Sequence, residues 1–484
     1  MREKEGGKMS KHKIPLIVVG IVTIILSGGI YLTSYAMVGP RTTGVVIQNL
    51  GSKPANVKLE YYNLSGELVV YTTTTVQPVS ALGFGAGSQQ GLGNMFVGSL
   101  VVMADQDVAA IGNDTDSDSM GMYSAVSEGA TTVYLPAVYH GFGNWESEIW
   151  IQTTETVPSG AQATVQFIDR LGQQTGSIKS IPLKSCATVM VSPAHYEAGN
   201  PDIPGGDIPY GWAGGTVIQS AYKMAVIVKN VRPTSEGSIA EMYNGFAQGD
   251  TTVYIPAMYK YFGPWDSNGI NVQNIGDAPT YVMIDFYDRL GTLVHTYPFT
   301  RSFAANGGAQ AINTKNILEL AEGYAGTAVV RSLSGQPVIA VADVTDTDTG
   351  KGNAYNAVLA SDGASVVYLP SQYKRFGGWR SGVIAMNVGT APTTITFEYY
   401  ARGASTMSAI TTSAEISPNI AFAKNTLTPD IAAQLPDEWT GTVIVRSGGQ
   451  PLVVVGNVDG GYDTLTPPRN QGKAAMYIAF PQKY

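Results

Sequence analysis

The residues of this chain best equipped for chemistry are two acidic loops, one cysteine, four scattered histidines and a tryptophan that returns at near-regular intervals. "NDTDSDS", beginning at Asn113, places Asp114, Asp116 and Asp118 on alternate positions, and "DTDTG" repeats the device with Asp346 and Asp348. Carboxylates so spaced on a loop can share a calcium ion, a hard cation that gathers about six to eight oxygens. Neither loop carries the closing glutamate about twelve positions on, and the matching loops around Arg232 and Asp459 lack the pattern, so a solvated acidic loop is the competing reading. Cys186 stands in no motif and reads as a plain thiol of core or surface. His12, His140, His195 and His295 are far apart, and HExxH, GxSxG and Walker patterns are absent. An enzyme is therefore not expected, and no catalytic or cofactor-binding residue is assigned.

The tryptophan closes a longer phrase. "VYLPAVYHGFGNW" (Val133 to Trp145) returns as "VYIPAMYKYFGPW" (Val253 to Trp265) and "VYLPSQYKRFGGW" (Val367 to Trp379). Trp145, Trp265 and Trp379 could stack on sugar rings; the alternative, favoured by their recurrence, is that each indole packs into the joint between adjoining domains. His140 falls where the other phrases have Lys260 and Lys374, so this position reads as a tolerant surface site.

The phrases lie 120 and 114 residues apart and mark a repeat of the whole chain. "IQNLG" at Ile47, "VQNIG" at Val272 and "AMNVG" at Ala385 recur, with a degraded "IQTTE" at Ile151. Some ten residues on come "YYNLSG", "FIDRLG", "FYDRLG" and "YYARG", each preceded by a period-2 apolar row such as Val57, Leu59 and Tyr61. Alternation of this kind buries one face of a strand, and the Gly-bearing turn that follows predicts a hairpin. A further aromatic (Phe96, Trp212, Tyr324, Trp439) opens a Val-rich strand in each copy and is assigned to the core, and a tyrosine (Tyr123, Tyr243, Tyr355, Tyr477) stands near each copy's end.

Seven or eight short strands per copy predict an all-β chain of four tandem antiparallel β-sandwich domains. With the proline-marked strand taken to close each copy, these span 44–142, 143–262, 263–376 and 377–484. "IAFPQKY" from Ile478 then reads as an abbreviated fourth phrase. Joined end to end, they would make a rod on the order of 120 to 160 Å. If the proline-marked strand instead opens each copy, the first copy lacks it and the C-terminal tail is spare.

Composition limits the setting. Charged residues are only 14% of the chain, the net charge is −8, and the first 13 residues carry +3, leaving −11 for the rest. An acidic body repels phosphate backbones, so nucleic acid is a poor partner. Residues 14–35 include the uncharged run "IPLIVVGIVTIILSGGIYL", long enough to span a bilayer as a helix, with the basic tail 1–13 held in the cytoplasm. An uncleaved signal anchor puts the body outside a single-pass membrane protein; "SYA" at Ser34 to Ala36 offers a cleavage point that would make it secreted. A lone cysteine cannot form an internal disulfide. Asn63 and Asn113 sit in glycosylation sequons.

In composition and tandem architecture the chain resembles immunoglobulin-like repeat proteins of prokaryotic cell surfaces, from about Gly44 to Tyr484. The resemblance implies adhesion, spacing or assembly on a surface. Three roles follow as expectations: a structural or adhesion protein, a carbohydrate or cell-wall binding protein, and a filament or surface-layer subunit that assembles with like subunits by donating its C-terminal strand.

Overall fold

The computed structural model describes residues 35–37, 41–194, 207–235, 237–263, 265, 267–346, 351–462, 465 and 469–482. The chain is all-β, built of antiparallel sheets. The predicted alternation is realised in the strand Ala55–Asn63, which buries Ala55, Val57, Leu59 and Tyr61 and turns back as Leu68–Val76. The turn is held by the side chain of Asn63, whose Oδ1 accepts the N–H groups of Ser65 and Glu67 at 2.9 and 3.0 Å. Asp169 and Asp288 do the same in the next two copies, and Gly66, Gly172 and Gly291 take the left-handed conformation that ends the turn (φ 82°, 80° and 85°).

The third copy shows the plan. One sheet runs Leu293–Pro298, Val282–Asp288, Tyr324–Ser332, Thr252–Lys260 and Val358–Leu359; the other runs Ala309–Asn313, Ser267–Asn274, Val338–Asp346 and Lys351–Asn356. Their facing apolar residues form one core. In the second copy, the 23-residue strand Trp212–Thr234 passes through both layers and joins them into one sheet, and in the fourth the pairing of Lys374 with Arg380 does so.

The proline-marked strand opens a copy; it does not close one. Ala130–Phe142, Thr252–Lys260 and Val366–Lys374 pair with Trp212–Thr234, Tyr324–Ser332 and Trp439–Ser447, all of which follow them in the chain. The expected divisions after 142, 262 and 376 thus cut each copy from its own opening strand. Nor is "IAFPQKY" a fourth phrase or a spare tail. Pro481 and Phe480 pair with Val367 and Tyr368 of their own copy, as Leu359 and Val358 pair with Val253 and Tyr254. This removes the unpaired strand on which assembly by tail donation depended. In the first copy Tyr35–Met37 takes the opening strand's place beside Val97–Ala104. The expected membrane segment 14–35 lies outside the described residues except for Tyr35, which begins that strand. Among the described residues, no helix is long and apolar enough to cross a membrane.

The copies do not form a rod. The strands Met120–Ser124, Gly237–Asn244, Lys351–Asn356 and Ala474–Ile478, one per copy, adjoin in cyclic order, and the fourth returns to the first. Arg402 donates to Gly83 O (3.0 Å), Thr442 to Val79 O (3.1 Å), Lys473 to Asp116 O (2.8 Å) and Ser124 Oγ to Ile478 O (2.8 Å), all between the first and fourth copies. Ile111, Met120 and Met122 of the first copy enter the fourth copy's core cluster. Side-chain amides clamp the ring further. Asn244 accepts from Ser124 N (3.0 Å) and donates to Ser124 O (2.7 Å), and Asn356 repeats the same pair of bonds with the backbone of Asn244 (3.0 and 2.7 Å). Small residues allow the approach. A Cβ on Gly121 would collide with Met242, and one on Gly352 with Ile239, each in the neighbouring copy.

Candidate functional site: the clefts between copies

The recurrent phrase builds the same corner each time. Proline cannot donate to a sheet ladder, and the opening strand slips register there, between Ile255 and Met258 in the third copy and between Leu369 and Gln372 in the fourth. The peptide freed by the slip needs a partner, and the recurrent tyrosine supplies it. Tyr243 OH donates to Ala137 O (2.8 Å) and accepts from Ala137 N (3.3 Å); Tyr355 OH makes the same two bonds with Ala257 (2.7 and 3.2 Å). Tyr477 OH donates to Ser371 O (2.9 Å) and accepts from Gln372 Nε2 (2.9 Å). Burial pushes all three phenols above their ordinary range. Scaffolding is thus one purpose of the phrase.

In the second and third copies its second half lines a cleft toward the next copy. Tyr139 stacks on Phe142 (centroids 6.3 Å apart), Tyr259 on Phe262 (5.8 Å) and Tyr373 on Phe376 (6.3 Å). The hairpin turn places an arginine on the outer face of the phenylalanine, Arg170 at 4.4 Å from the Phe142 centroid and Arg289 at 4.2 Å from Phe262. Trp145 and Trp265, both half-buried, complete the walls. Trp379 is half-buried against the fourth copy's core. The cleft between the second and third copies encloses about 390 Å³ and that between the third and fourth about 440 Å³. Trp145 also carries Arg232 at 5.1 Å from its ring.

Each joint has its own charged groups. Between the first and second copies, Lys229 Nζ meets Asp114 Oδ2 at 2.5 Å, both side chains nearly or fully buried, with Arg41 and Glu148 at 3.1 Å beside them. Between the second and third, Glu241 and Asp343 face the same cavity. Burial pushes both carboxyls above the usual range, Asp343 up to about 7, and the charge of Asp343 when ionised adds to the effect on Glu241. In the cleft between the third and fourth copies, Arg380 pairs with Asp459 at 3.2 Å, and burial raises that carboxyl too.

The acidic-loop residues are scattered among other duties. Asp114 is the partner of Lys229. Asp116 accepts Asp118 N (2.9 Å), Ser119 N (2.6 Å) and Ser119 Oγ (2.9 Å); burial opposes its ionisation, yet these bonds hold its carboxyl below the usual range. Asp118 is exposed, Asp346 is buried opposite Lys351, and Asp348 lies outside the described residues. Among the described residues no three His, Cys, Asp or Glu side chains are grouped to hold a metal ion.

Lys260 and Lys374 are not on a tolerant surface. Both are buried, and their ammonium groups bond the last carbonyls of short helical turns: Lys260 to Ile317 O and Leu320 O (2.7 Å each), Lys374 to Ala432 O (2.8 Å) and Leu435 O (2.5 Å). His140 instead faces Glu146 at 3.1 Å. Cys186 is half-buried with its thiol pushed up by burial, and its carbonyl accepts the Ser99 hydroxyl across the first joint. Trp212, Tyr324 and Trp439 lie in the core, edge-on to Phe167, Phe286 and Tyr399, and Phe96 is half-buried against it.

At one end of the ring axis, the segments that follow the four inner strands enclose a further cavity of about 570 Å³, with Ala125, Phe246, Val358 and Phe480 on its wall and Asp107, Glu128 and Asp362 among its polar groups. Neither this cavity nor the acid pair was foreseen, because both arise where copies meet.

No protein-family model matches the chain, and no curated protein matches it in sequence. Among solved structures, the Thermotoga maritima protein 1070 is 15% identical, over 25% of this chain and 97% of its own, at a TM-score of 0.20. A tetra-tandem repeat from the extending region of a large adhesion protein is 12% identical, over 94% of this chain and 100% of its own, at a TM-score of 0.12. At these scores neither likeness carries an argument about fold or function.

Proposed function

We propose that the chain is a non-catalytic extracellular structural and adhesion protein whose four β-sandwich domains close into a ring, carried at a membrane by residues 14–35 or released by cleavage after them. The observation that carries this reading is the seal between the first and fourth copies, which fixes the clefts and the axial cavity on one rigid platform. Such a platform suits the holding of partners at set spacings, a task that needs no reactive side chain. The opening strands also give it a direction. Val367 and Tyr368, early in the fourth copy's opening strand, line the axial cavity, and Tyr35–Met37 occupies the equivalent strand of the first copy. A membrane anchor ahead of Tyr35 would therefore hold the axial mouth toward the bilayer and the far end of the ring outward. Protease treatment of intact cells tests this: the body is digested from outside while the basic tail is protected, and a protected body or its recovery in the cytosol overturns the reading.

A second reading, binding of carbohydrate or cell wall, is favoured by the half-buried Trp145 and Trp265 on open cleft walls among arginine and amide groups. Glycan-array binding that is lost in Trp265→Ala supports it; absence of any glycan signal removes it.

A further inference from the structure

The cleft between the second and third copies holds acidic and basic groups that the fold satisfies only in part. Glu241 is 1% exposed and Asp343 9%, and Glu241 Oε1 and Asp343 Oδ1 have no hydrogen-bond partner. The remaining contacts explain their posture but not their charge: Asp343 Oδ2 accepts from Asn271 Nδ2 at 2.7 Å, and Thr345 bonds Glu241. On the same cavity wall, Arg170 and Arg232 lie over Phe142 and Trp145; Arg232 is near enough to favour the charged form of Glu241, but neither arginine makes a direct ion pair among the described residues. Burial and the nearby Arg301 pull the Arg170 guanidinium below its usual range, as befits a cation lacking its anion. Two acids, each with one oxygen lacking a hydrogen-bond partner, and two arginines without a direct ion pair thus share about 390 Å³, with aromatic rings between them.

No other joint repeats this. In strand register, the place of Asp343 is taken by Asn113, Lys229 and Asn457 in the other copies; that of Glu241 is taken by Gly121, Asn353 and Ala475. A structural ion pair would have set one acid against one base, as Asp114 and Lys229 are set one joint earlier.

We propose that this cleft binds a free α-amino acid as its zwitterion, with the ammonium group between Glu241 and Asp343, the carboxylate on Arg170 and Arg232, and an apolar or aromatic side chain along Tyr139, Phe142 and Trp145. The ammonium supplies donors to both orphan oxygens. It also replaces the proton that the two acids otherwise retain, so binding at neutral pH releases a proton to solvent. A metal ion suits the wall less well, since two carboxylates fall short of the oxygen set a hard cation needs. The inference does not depend on where the protein resides or whether it adheres.

The test is calorimetric titration of the full-length chain in detergent with each standard L-amino acid, in two buffers of different ionisation enthalpy. At least one apolar or aromatic amino acid is expected to bind with proton release. Its amine lacking the carboxylate and its acid lacking the ammonium should each bind at least about tenfold more weakly. Glu241→Gln and Asp343→Asn, both nearly isosteric, should cost about tenfold or more, as should Arg170→Ala, whereas Trp379→Ala in the fourth copy leaves binding unchanged. Circular dichroism checks that each variant folds, and the two acid variants serve as independent reporters. The proposal is overturned if no amino acid binds at about 10 mM, if the amine alone binds as tightly as the zwitterion, or if a folded acid variant binds like the wild type.

Discussion

Replacing Lys229 with methionine keeps the length and apolar stem of the side chain and removes only its charge, leaving Asp114 in a joint where its side chain is fully buried and its Oδ2 has lost a partner at 2.5 Å. Taking one partner from a buried pair costs about 3–5 kcal/mol, because the abandoned charge stays desolvated. Removing both in Asp114→Leu/Lys229→Met should return most of that loss and leave the double variant within about 1–2 kcal/mol of the wild type. The assay is guanidinium unfolding followed by tryptophan fluorescence, which Trp150 makes sensitive to this joint because, with Ile227 and Met242 of its own copy, it packs against Tyr123 of the first. A double-mutant cycle then isolates the coupling energy. If Lys229→Met costs less than about 1 kcal/mol, or the double variant is worse than the single, the ion pair is not what holds the first two copies together and the cyclic arrangement loses its best-defined joint.

Asn244→Ala removes two side-chain bonds to the backbone of Ser124 and should cost about 2–4 kcal/mol by leaving a buried N–H and C=O unpaired; a matching loss in Asn356→Ala, read by the same unfolding assay, would confirm equivalent joints. Lys260→Met should destabilise the third copy by about 2–4 kcal/mol, since the carbonyls of Ile317 and Leu320 lose their shared donor; hydrogen exchange should speed first in residues 314–320. Because burial pushes the Asp343 carboxyl up to about 7 from its ordinary 3.8, the folded chain keeps a proton that the unfolded chain has lost between those values. The contribution of Asp343 to thermal stability should therefore fall as pH rises from about 4 to about 7, with Glu241, raised in the same way, adding to the fall, and Asp343→Asn should make that part of the profile shallower.

How far the sequence could be read depended on whether a feature is local. The hairpins were legible because their rows alternate over a few residues and end in an Asx turn with glycine, all within one stretch such as Ala55 to Val76. The core aromatics were legible because Trp212, Tyr324 and Trp439 stand at one point of a fixed pattern. The direction of the proline strand was not. A strand between two copies looks the same whether it pairs backward or forward, and its true partners lie far along the chain, as in the pairing of Val253 with Val330, 77 residues on. Lys260 was misread for a similar reason: its carbonyl partners are 57 and 60 residues distant, and a long side chain gives no sign of which way it bends. The ring itself has no signature within any one copy. It rests on pairs such as Asp114 with Lys229 and Asn244 with Asn356, whose members belong to different repeats.

Carrying the four copies on one chain frees each joint to differ. In a ring of four identical subunits every joint is the same joint, so an acid placed on both sides of one interface appears at all four and its repulsion is incurred four times. Covalent repetition lifts this constraint. Here the first joint carries Asp114 against Lys229, the second Glu241 against Asp343, and the last the Lys473 ammonium on the carbonyl of Asp116. The position filled by Asp343 in one copy is a lysine in another and an asparagine in the remaining two. The ordinary joints stabilise the ring, and one joint can then hold two buried acids that no base pairs directly. A chain that needed only a symmetric scaffold would gain nothing from such a difference. A chain with a distinct binding task at one cleft requires it, and the tandem arrangement is what allows that cleft to diverge without opening the other three.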